Sequence, residues 1–406
     1  MSSPLQGRRV LDLTRNIAGP YAAMLLAELG AEVVKVERPG RGDDARDWGP
    51  PFWEGWGPLF LAVNRNKRSL TLDLRRPEAA EILGRLAARC DVLLESFRPG
   101  VMDRLGFGYE WARSLNPAII YCSVTPFGDR GPLRDRPGYD PLMQAYAGIM
   151  SVTGEEGGSP IRAGVPLVDM GTGMWAALSV VAALLERGDG PGRRIVTSLY
   201  ETALGWMAYH LTTYWAGGEP PGRQGSGTTT IAPYQAFPTR DGSLVIAAAN
   251  DALFTRLADA LGHREWLSDT GFQSNPDRVR NRTRLIQAIE AVTVERGTGE
   301  LARDLQAAGV PCAVIRDAAQ VAADEQTKAL EIVQGASHPD IPGFQSVGLP
   351  YSVDGSRPPL RRVPPALGEH NREILAELGY SGKEIARLCS TGALGGRGAG
   401  AGQQPR

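Results

Sequence analysis

The sequence predicts an α/β protein with a large Rossmann-like domain and a smaller α+β domain. Three observations support this prediction. Strand and helix patterns alternate over residues 10–124, a Gly- and Pro-rich stretch occupies 217–227, and a hairpin pattern follows it. Strands that alternate with helices form parallel βαβ units with right-handed crossovers. The length of 406 residues also exceeds what one ordinary core needs.

The elements of the large domain follow from short apolar runs and helical periodicity. Strands are predicted at Val10–Leu13, Val33–Val36, Ser69–Leu74, Asp91–Ser96, Ile119–Val124 and Arg194–Ser198. Helices are predicted at Pro20–Leu29, Glu78–Ala88, Gly171–Arg187 and Tyr200–Ala216. Pro20 suits the first turn of its helix, and Gly30 suits the end of that helix.

The smaller domain is predicted between about 225 and 325. Two apolar segments, Tyr234–Phe237 and Leu244–Ala248, flank the turn Arg240-Asp241-Gly242, which is a hairpin signal. Helices are predicted near 251–261, 278–293 and 299–308, and a strand at 311–315. A Pro-rich stretch and a last helix at Asn371–Leu378 follow, and the Gly-rich end of the chain predicts disorder.

Composition argues against several classes of protein. Lys and Arg number 44 and Asp and Glu 45, whereas binding to duplex nucleic acid usually needs a basic excess. The N-terminus has no apolar signal region, and the longest apolar run, Trp175–Leu185, is shorter than the ~20 residues of a membrane span. The four Cys and four His are scattered without metal-ligand spacing. We expect a cytoplasmic protein that has reduced thiols and binds neither metal, nucleic acid nor membrane.

Two segments lie where α/β sheets bind nucleotides. The turn Arg15–Pro20 follows the first strand and opens a helix, and Arg38 lies at the end of the second strand. A guanidinium there suits a ribose phosphate, such as the 3′-phosphate of coenzyme A. An ordinary loop and a solvated surface Arg are the alternatives. The G-x-G-x-x-G fingerprint is absent, which argues against a nicotinamide dehydrogenase.

A basic cluster flanks the third predicted strand, Ser69–Leu74. It could bind an anion, but charge runs of this kind are more often solvated faces. Its members are Arg65, Lys67, Arg68, Arg75 and Arg76.

Asp169 is the candidate with most chemical interest. A strand-like apolar segment from Gly164 ends at Asp169, and a helix begins after it. Asp is a favoured N-cap, so a structural cap is one interpretation. In the other, the helix dipole keeps the carboxylate ionised as a nucleophile, and Gly171 and Gly173 leave room for a bulky thioester.

Taken together, these stretches resemble the family III coenzyme A transferases, the group of formyl-CoA transferase, carnitine CoA-transferase and 2-methylacyl-CoA racemase. The resemblance covers roughly residues 5–390. The matching stretches are Val10–Leu13, Ala18–Pro20, Leu29–Arg38, Asn64–Ser69, Cys90–Val92, Phe97–Gly100, Gly138–Asp140, the Asp169 segment and Leu367–His370.

The resemblance implies an interlaced homodimer of ring-like subunits, in which the large domain takes both ends of the chain. We therefore divide the chain into five parts. These are the N-terminal part of the large CoA-binding domain (1–216), a linker (217–227), the small domain (228–325), a return linker with the C-terminal part of the large domain (326–391) and a disordered tail (392–406).

The resemblance also assigns roles to residues. Asp169 matches the nucleophilic aspartate of the family, and coenzyme A enters as a thioester substrate with no tightly bound cofactor expected. Residues that match the CoA-binding positions are Ile17, Ala18, Arg38, Leu72, Arg75, Ser96, Phe97, Arg104, Arg136 and Tyr139. Ile17 differs from the glutamine of formyl-CoA transferase, and only the short Gly225–Gly227 approaches the Gly-rich lid of that enzyme.

The implied reaction passes coenzyme A from an acyl-CoA donor to a carboxylic acid through an aspartyl anhydride and an aspartyl-CoA thioester. The racemase alternative needs a His where this chain has Tyr139, and a tyrosine is a poor base at neutral pH. A non-catalytic homologue would be free to lose Asp169. Segments such as Trp48–Phe52 and Pro233–Phe237 are similar to succinyl-CoA:glutarate transferases, which suggests succinyl-CoA and a dicarboxylate, with Arg46 or Arg223 pairing its distal carboxylate.

Overall fold

The computed structural model describes residues 3–395, which fall into two compact units. The first unit contains the chain up to Ala147, Gly164–Tyr209 and the chain from Gln326 onward, and the second contains Gly148–Ala163 and His210–Glu325. The second unit thus takes 148–163 and 210–216, which the sequence analysis gave to the large domain. Hydrogen bonds join these parts, since Gly225 N donates to Gly154 O (2.8 Å) and Arg223 to Gly158 O (2.6 Å).

A six-stranded parallel sheet forms the centre of the first unit, in the order β3-β2-β1-β4-β5-β6. This is the Rossmann order, so the predicted α/β class is confirmed. The inner strands are buried along nearly their whole length, because helices cover both faces of a parallel sheet. The strands are β1 (Arg9–Leu13), β2 (Glu32–Glu37), β3 (Lys67–Thr71), β4 (Val92–Glu95), β5 (Ile120–Thr125), β6 (Arg194–Ser198), β7 (Tyr234–Thr239), β8 (Gly242–Ala247), β9 (Cys312–Val314), β10 (Val333–Gly335) and β11 (Gln345–Val347).

The helices follow the predicted pattern with two interruptions. The helix predicted near 278–293 is divided at Asn281. The helix predicted at Tyr200–Ala216 is two helices that meet at Met207. In chain order the helices are α1 (Ala18–Glu28), α2 (Pro58–Val63), α3 (Pro77–Ala87), α4 (Val101–Arg104), α5 (Tyr109–Leu115), α6 (Asp140–Tyr146), α7 (Ile149–Val152), α8 (Leu167–Arg187), α9 (Leu199–Trp206), α10 (Ala208–Trp215), α11 (Asp251–Leu261), α12 (Asn275–Arg280), α13 (Arg282–Thr293), α14 (Thr298–Ala307), α15 (Ala318–Ala323), α16 (Glu325–Ala329), α17 (Asn371–Glu377) and α18 (Gly382–Ser390), with 3-10 turns at Asp44–Asp47 and Arg264–Ser268.

The second unit contains the predicted hairpin. Strands β7 and β8 pair antiparallel, and β9 also pairs antiparallel with β8. Phe237, Leu244 and Ile246 point into a core that the helices of this unit complete. The alternation of buried and exposed residues along β8 is that of a strand with one covered face.

The C-terminal end of the described chain packs on the large sheet. Side chains of α17 and α18 lie in one buried cluster with Leu70, Leu72 and Ile82. Ala393 and Leu394 are buried in the same cluster, so the prediction that a disordered tail begins at 392 is wrong for these two residues. Residues 396–406 of that predicted tail lie outside the described residues.

Helix α8 crosses the first unit next to α1. Its length and apolar composition would suffice to cross a membrane, but 56% of its most apolar window is buried in the structure. Core helices of soluble proteins meet the same criterion, so this property alone does not indicate a membrane span. What matters for function is the start of this helix, because Asp169 lies in its first turn.

Candidate active site

Asp169 lies inside helix α8 rather than at its cap. The helix begins at Leu167, its N-cap residue is Pro166, and no strand precedes it, so both the predicted strand and the predicted N-cap role of Asp169 are wrong. The capping is done by Asp140, whose Oδ2 accepts hydrogen bonds from the backbone amides of Val168 (2.7 Å) and Asp169 (3.1 Å). Because a neighbouring carboxylate satisfies these amides, the Asp169 carboxylate is not needed as a cap.

The Asp169 carboxylate is buried and lacks a cationic partner among residues 3–395. Only 9% of the residue is exposed. Burial and, as the smaller cause, the negative charge of Asp140 together raise the pKa of Asp169 to about 7. A pKa of about 7 does not support the expectation that the helix dipole holds this group ionised, because the group is then only partly ionised at neutral pH. A carboxylate with a raised pKa is a stronger nucleophile and base once it is ionised.

The glycines after Asp169 serve helix packing. A side-chain carbon on Gly173 would lie 2.6 Å from Ala18 O of α1, and one on Gly171 would lie 2.7 Å from the Trp206 ring of α9. Both positions need glycine because neighbouring helices approach the α8 backbone there. The space expected for a thioester at these glycines is therefore filled by α1 and α9.

A small cavity of about 80 Å³ contains Asp169. The turn between β1 and α1 forms one wall, and the end of β5 forms another. This is the carboxyl edge of the parallel sheet, where α/β proteins bind ligands. Its lining residues are Arg15, Asn16, Ile17, Ala18, Gly19, Trp48, Ser96, Val124, Thr125, Pro126, Gly138, Tyr139, Asp169 and Leu199.

A larger cavity of about 300 Å³ lies at the carboxyl ends of β1, β2 and β3. Its wall is mostly apolar, with the guanidinium groups of Arg15, Arg38 and Arg75 around it. Arg15 lines both cavities, and the neighbours Ser96 and Phe97 line one each. The larger cavity is lined by Leu13, Arg15, Val36, Glu37, Arg38, Gly42, Asp43, Leu72, Leu74, Arg75, Phe97, Val101 and Leu105.

The structure brings most of the predicted site residues to these two cavities. Four lie at the larger cavity, namely Arg38, Leu72, Arg75 and Phe97, and five lie at the smaller one, namely Ile17, Ala18, Ser96, Tyr139 and Asp169. Arg104 and Arg136 line neither cavity, and both are exposed, Arg104 at the end of α4 and Arg136 in the loop before Tyr139.

Sequence reasoning missed four residues as members of the site. Arg15 and Asn16 lie in the turn that the sequence did single out, but they were given no role there. Trp48 lies in a segment used only for substrate resemblance, and Asp140 neighbours Tyr139 in a matching motif. Arg15 and Trp48 reach the cavities through loops, whose paths a strand-and-helix pattern does not predict.

Members of the basic cluster form ion pairs within the first unit. Arg65 pairs with Glu28, Lys67 with Asp12, and Arg68 with two glutamates of α17. The first two pairs are buried, so these side chains hold the fold together. Of the cluster, only Arg75 lines one of the two cavities described above, and its guanidinium also contacts Asp73 (3.0 Å).

Buried charges also support the turn between β1 and α1. Lys35 Nζ pairs with Asp43 Oδ2 (2.9 Å) and donates to Thr14 O (2.9 Å). Asp43 Oδ1 accepts a hydrogen bond from Asn16 N (2.9 Å). The turn that lines the Asp169 cavity is thus fixed from below by fully buried groups.

Glu95 holds the backbone between Ser96 and Phe97, which line the smaller and the larger cavity. Its Oε2 accepts a hydrogen bond from Phe97 N (2.8 Å) at the end of β4. Burial raises the pKa of Glu95 to about 7, although a hydrogen bond with Ser123 opposes that change. The group faces a separate cavity of about 140 Å³ and not the one that contains Asp169.

Arg46 and Arg223 were the two arginines expected to pair with the distal carboxylate of the substrate. Neither lines the Asp169 cavity. Arg46 makes two hydrogen bonds of 2.7 Å to Glu37 and lies 3.7 Å from the centre of the Phe60 ring. Its guanidinium is already paired, and Arg46 does not line the Asp169 cavity, so the structure gives no support to its predicted role. Arg223 belongs to the second unit, where it donates to Gly158 O.

Comparisons with known proteins agree with the geometry. The model of CoA-transferase family III matches residues 5–371. The chain is 38% identical to succinyl-CoA:glutarate CoA-transferase of Mus musculus over 96% of this chain and 90% of that protein. It is 37% identical to succinate–glutarate CoA-transferase of Agrobacterium fabrum over 92% and 96% of the two chains. A solved CAIB/BAIF family protein of Brucella suis superposes with a TM-score of 0.85 at 38% identity, over 93% of this chain and all of that one.

Proposed function

Because this chain belongs to CoA-transferase family III, we propose that it moves coenzyme A from succinyl-CoA to a dicarboxylic acid through the carboxylate of Asp169. The observation that carries the proposal is the state of Asp169. It is a buried carboxylate without a cationic partner in the described chain, with a pKa near neutrality, in a cavity next to a larger apolar one. Buried, unpaired carboxylates cost stability, so their presence favours a chemical role.

The choice of substrates rests on the relatives. The mouse and Agrobacterium proteins are named for succinyl-CoA or succinate and for glutarate, and both align over nearly all of this chain. A dicarboxylate acceptor is therefore the favoured class. With Arg46 paired to Glu37, Arg15 is the guanidinium that lines the Asp169 cavity and could meet a distal carboxylate.

The larger cavity suits the nucleotide end of coenzyme A. Leu72 and Phe97 offer apolar surface to the base and the pantetheine arm, and Arg38 and Arg75 offer guanidinium groups to phosphates. From there Ser96, Ile17 and Ala18 continue to Asp169, so a thioester would reach the carboxylate along the carboxyl edge of the sheet. Arg104 and Arg136 would take part from the solvent side.

The reaction proceeds by two acyl exchanges on Asp169. The ionised carboxylate attacks the thioester carbonyl of succinyl-CoA, the C–S bond breaks, and CoA thiolate leaves a mixed anhydride. The thiolate then attacks the aspartyl carbonyl and releases succinate, which leaves an aspartyl-CoA thioester. The acceptor carboxylate repeats these steps in reverse, so that the new acyl-CoA departs and Asp169 is restored.

Two features of the cavity support this chemistry. Helix α1 begins at its wall, where Ile17 gives no side-chain cap, so the amides of Ala18 and Gly19 lack intrahelical partners and can donate to an oxyanion. The small volume of about 80 Å³ limits the number of water molecules beside Asp169, which would hydrolyse the anhydride. The backbone amides near Gly171 do not offer the same role, because they lie within helix α8.

The racemase alternative has less support. It needs a second proton acceptor beside the substrate, and none of the described residues that line the Asp169 cavity is a histidine. Tyr139 lines it with half of its surface exposed. A non-catalytic homologue is disfavoured because it would have no reason to keep an unpaired carboxylate in this cavity.

A homodimer is also part of the proposal. Helix α8 exposes Met174, Trp175, Leu178 and Leu185, of which Leu185 is 80% exposed in the single chain. Large apolar side chains on one helix mark an interaction surface. The interlaced form and the cytoplasmic location stay predictions, and sedimentation of the purified chain would test the dimer.

A transfer assay tests the proposed function. Succinyl-CoA is mixed with a panel of short mono- and dicarboxylic acids, and the new CoA thioesters are separated and quantified. We expect transfer to a dicarboxylate, and its loss in Asp169→Ala. Transfer that persists unchanged in Asp169→Ala would exclude this carboxylate as the nucleophile, and exchange of the α-proton of a 2-methylacyl-CoA without transfer would favour the racemase.

A further inference from the structure

Asn16 occupies an unusual place in the turn between β1 and α1. Its φ is +70°, in the left-handed region that few residues other than glycine and asparagine adopt. Its backbone amide is held by Asp43 Oδ1 at 2.9 Å, and Asp43 is fixed by Lys35. The backbone of Asn16 is therefore held in one conformation by buried groups that make no contact with its side-chain carboxamide in the described hydrogen-bond network.

The carboxamide of Asn16 lacks a partner within residues 3–395. Its Oδ1 is buried and accepts no hydrogen bond, although Asn16 lines the cavity that contains Asp169. Either end of the amide group can turn into that space, since the two ends differ only in their hydrogen-bonding role. A buried amide oxygen without a partner is unfavourable, so a group that is present only in the working enzyme is expected to complete the hydrogen bonds of this carboxamide.

Asn66 provides a comparison within the same chain. It also has a left-handed backbone, with φ of +63°. Its Oδ1 accepts from the amides of Arg361 (2.9 Å) and Arg362 (2.7 Å), and its Nδ2 donates to Glu28 (2.8 Å). Asn66 thus shows that a structural asparagine in this conformation uses its carboxamide for hydrogen bonds within the fold. The carboxamide of Asn16 makes no such hydrogen bonds in the described chain.

The charge of the cavity indicates which ligand group Asn16 meets. Arg15 also lines the cavity and is proposed to meet the distal carboxylate of the acid. The reacting carboxylate instead approaches Asp169, with Asp140 directly behind the Asp169 amide, and is repelled there. A neutral donor that cannot form a competing ion pair with Asp169 would offset this repulsion. The Nδ2 group of Asn16 is such a donor, on the same turn as the amides of Ala18 and Gly19.

We propose that the Asn16 carboxamide binds the reacting carboxylate of the acid substrate and thereby sets the affinity of the enzyme for that acid. The inference rests on the proposed transferase function. It makes Asn16 a residue for recognition of the acceptor, whereas the affinity for coenzyme A comes from the larger cavity.

Steady-state kinetics with separate variation of the two substrates test this role. Asn16→Gly keeps the left-handed backbone and removes the amide, and Asn16→Asp keeps the shape and replaces the donor by an acid. We expect KM for the acid to rise about tenfold to a hundredfold in Asn16→Gly, as for loss of one hydrogen bond to a charged group, with KM for succinyl-CoA within about threefold of wild type. Asn16→Asp should be worse, and its defect should grow with pH.

Asn66→Gly is the matched control, with thermal unfolding measured for all variants. It should lower stability while KM for the acid stays as in wild type. Unchanged KM for the acid in folded Asn16→Gly, or an equal rise for both substrates, would overturn the inference. A wild-type enzyme that transfers no CoA would instead overturn the proposed function, so the two failures are distinct.

Discussion

Two sets of buried carboxylates in the first unit differ in their partners. Below the β1–α1 turn, Asp12 meets Lys67 at 3.0 Å and Asp43 meets Lys35 at 2.9 Å. Although burial raises it, the pKa of Asp12 is lowered on balance by the charges of Lys67 and Lys35. Asp169 has burial and the charge of Asp140 acting in the same direction, and its pKa rises to about 7. The paired carboxylates hold the turn in place, and the unpaired one is available for chemistry.

The largest expected effect comes from breaking a paired charge. Lys67→Met leaves Asp12 buried beside fewer positive charges and should lower the free energy of unfolding by about 3–5 kcal/mol. Denaturant unfolding measures it. Asp12→Asn combined with Lys67→Met should recover part of the loss, whereas Lys383→Met on the surface should change stability by less than about 0.5 kcal/mol. A loss in Lys67→Met no greater than in Lys383→Met would mean that the pair does not hold the fold.

Removal of the unpaired carboxylate of Asp169 should instead raise the free energy of unfolding. The pKa of Asp169 is about 7 in the folded chain and near 3.8 when unfolded, so the folded state binds an extra proton between these values and stability falls as pH rises through that window. The Asp169→Asn variant has no titrating carboxyl group at this position, so it does not lose this stability.

Unfolding measured at several pH values tests this expectation. Asp169→Asn should exceed wild type by on the order of 2–4 kcal/mol at pH 8 and match it near pH 4. Asp12→Asn, a paired carboxylate, should instead be less stable than wild type at pH 8. A change in stability of the same sign for Asp169→Asn and Asp12→Asn at pH 8 would contradict the distinction between unpaired and paired carboxylates.

Gly173 joins the two regions, since it lies on α8 against Ala18 of the turn. Gly173→Ala places a methyl group 2.6 Å from Ala18 O and should cost about 1–3 kcal/mol of stability and slow CoA transfer by moving the turn. Gly205→Ala in α9 is the control, because its methyl group meets nothing within 4 Å. Normal activity in Gly173→Ala would mean that the spacing of α1 and α8 is not critical.

The smallest effect is a pH dependence of catalysis. If Asp169 must be ionised, kcat/KM should fall about tenfold per pH unit below its pKa of about 7. Glu95 also has a pKa of about 7, so it is the alternative source of this acid limb. Because we assign the limb to Asp169, Glu95→Gln should keep it. Asp140→Asn should move the limb to lower pH, because it removes the repulsion. Loss of the limb in Glu95→Gln would assign it to Glu95.

The sequence predicted the sheet well and the site in outline. The strands β1 to β6 are short apolar runs between helices, and all of them are found near their predicted positions. The start of α8 was misplaced, because Val165–Met170 is apolar enough for a strand, and the cap that decides the matter comes from Asp140, distant in sequence. Local patterns do not encode such a contact.

The same reason explains the other differences. Arg46 and Arg75 are both arginines that a sequence pattern would place at the surface. In the structure Arg46 forms an ion pair with Glu37, whereas Arg75 lines the larger cavity. Asp169 itself was found through resemblance, whereas its raised pKa follows only from burial and from Asp140. Which charges are paired depends on tertiary neighbours, and local sequence patterns do not reveal them.

The most direct test of the account is the covalent state of Asp169. The enzyme is incubated with succinyl-CoA, quenched with acid and digested, and the peptides are analysed by mass spectrometry. We expect CoA attached through a thioester to the peptide that contains Asp169, with the adduct removed by hydroxylamine and absent from Asp169→Asn. Transfer activity without an adduct on that peptide, or an adduct on another residue, would contradict the account.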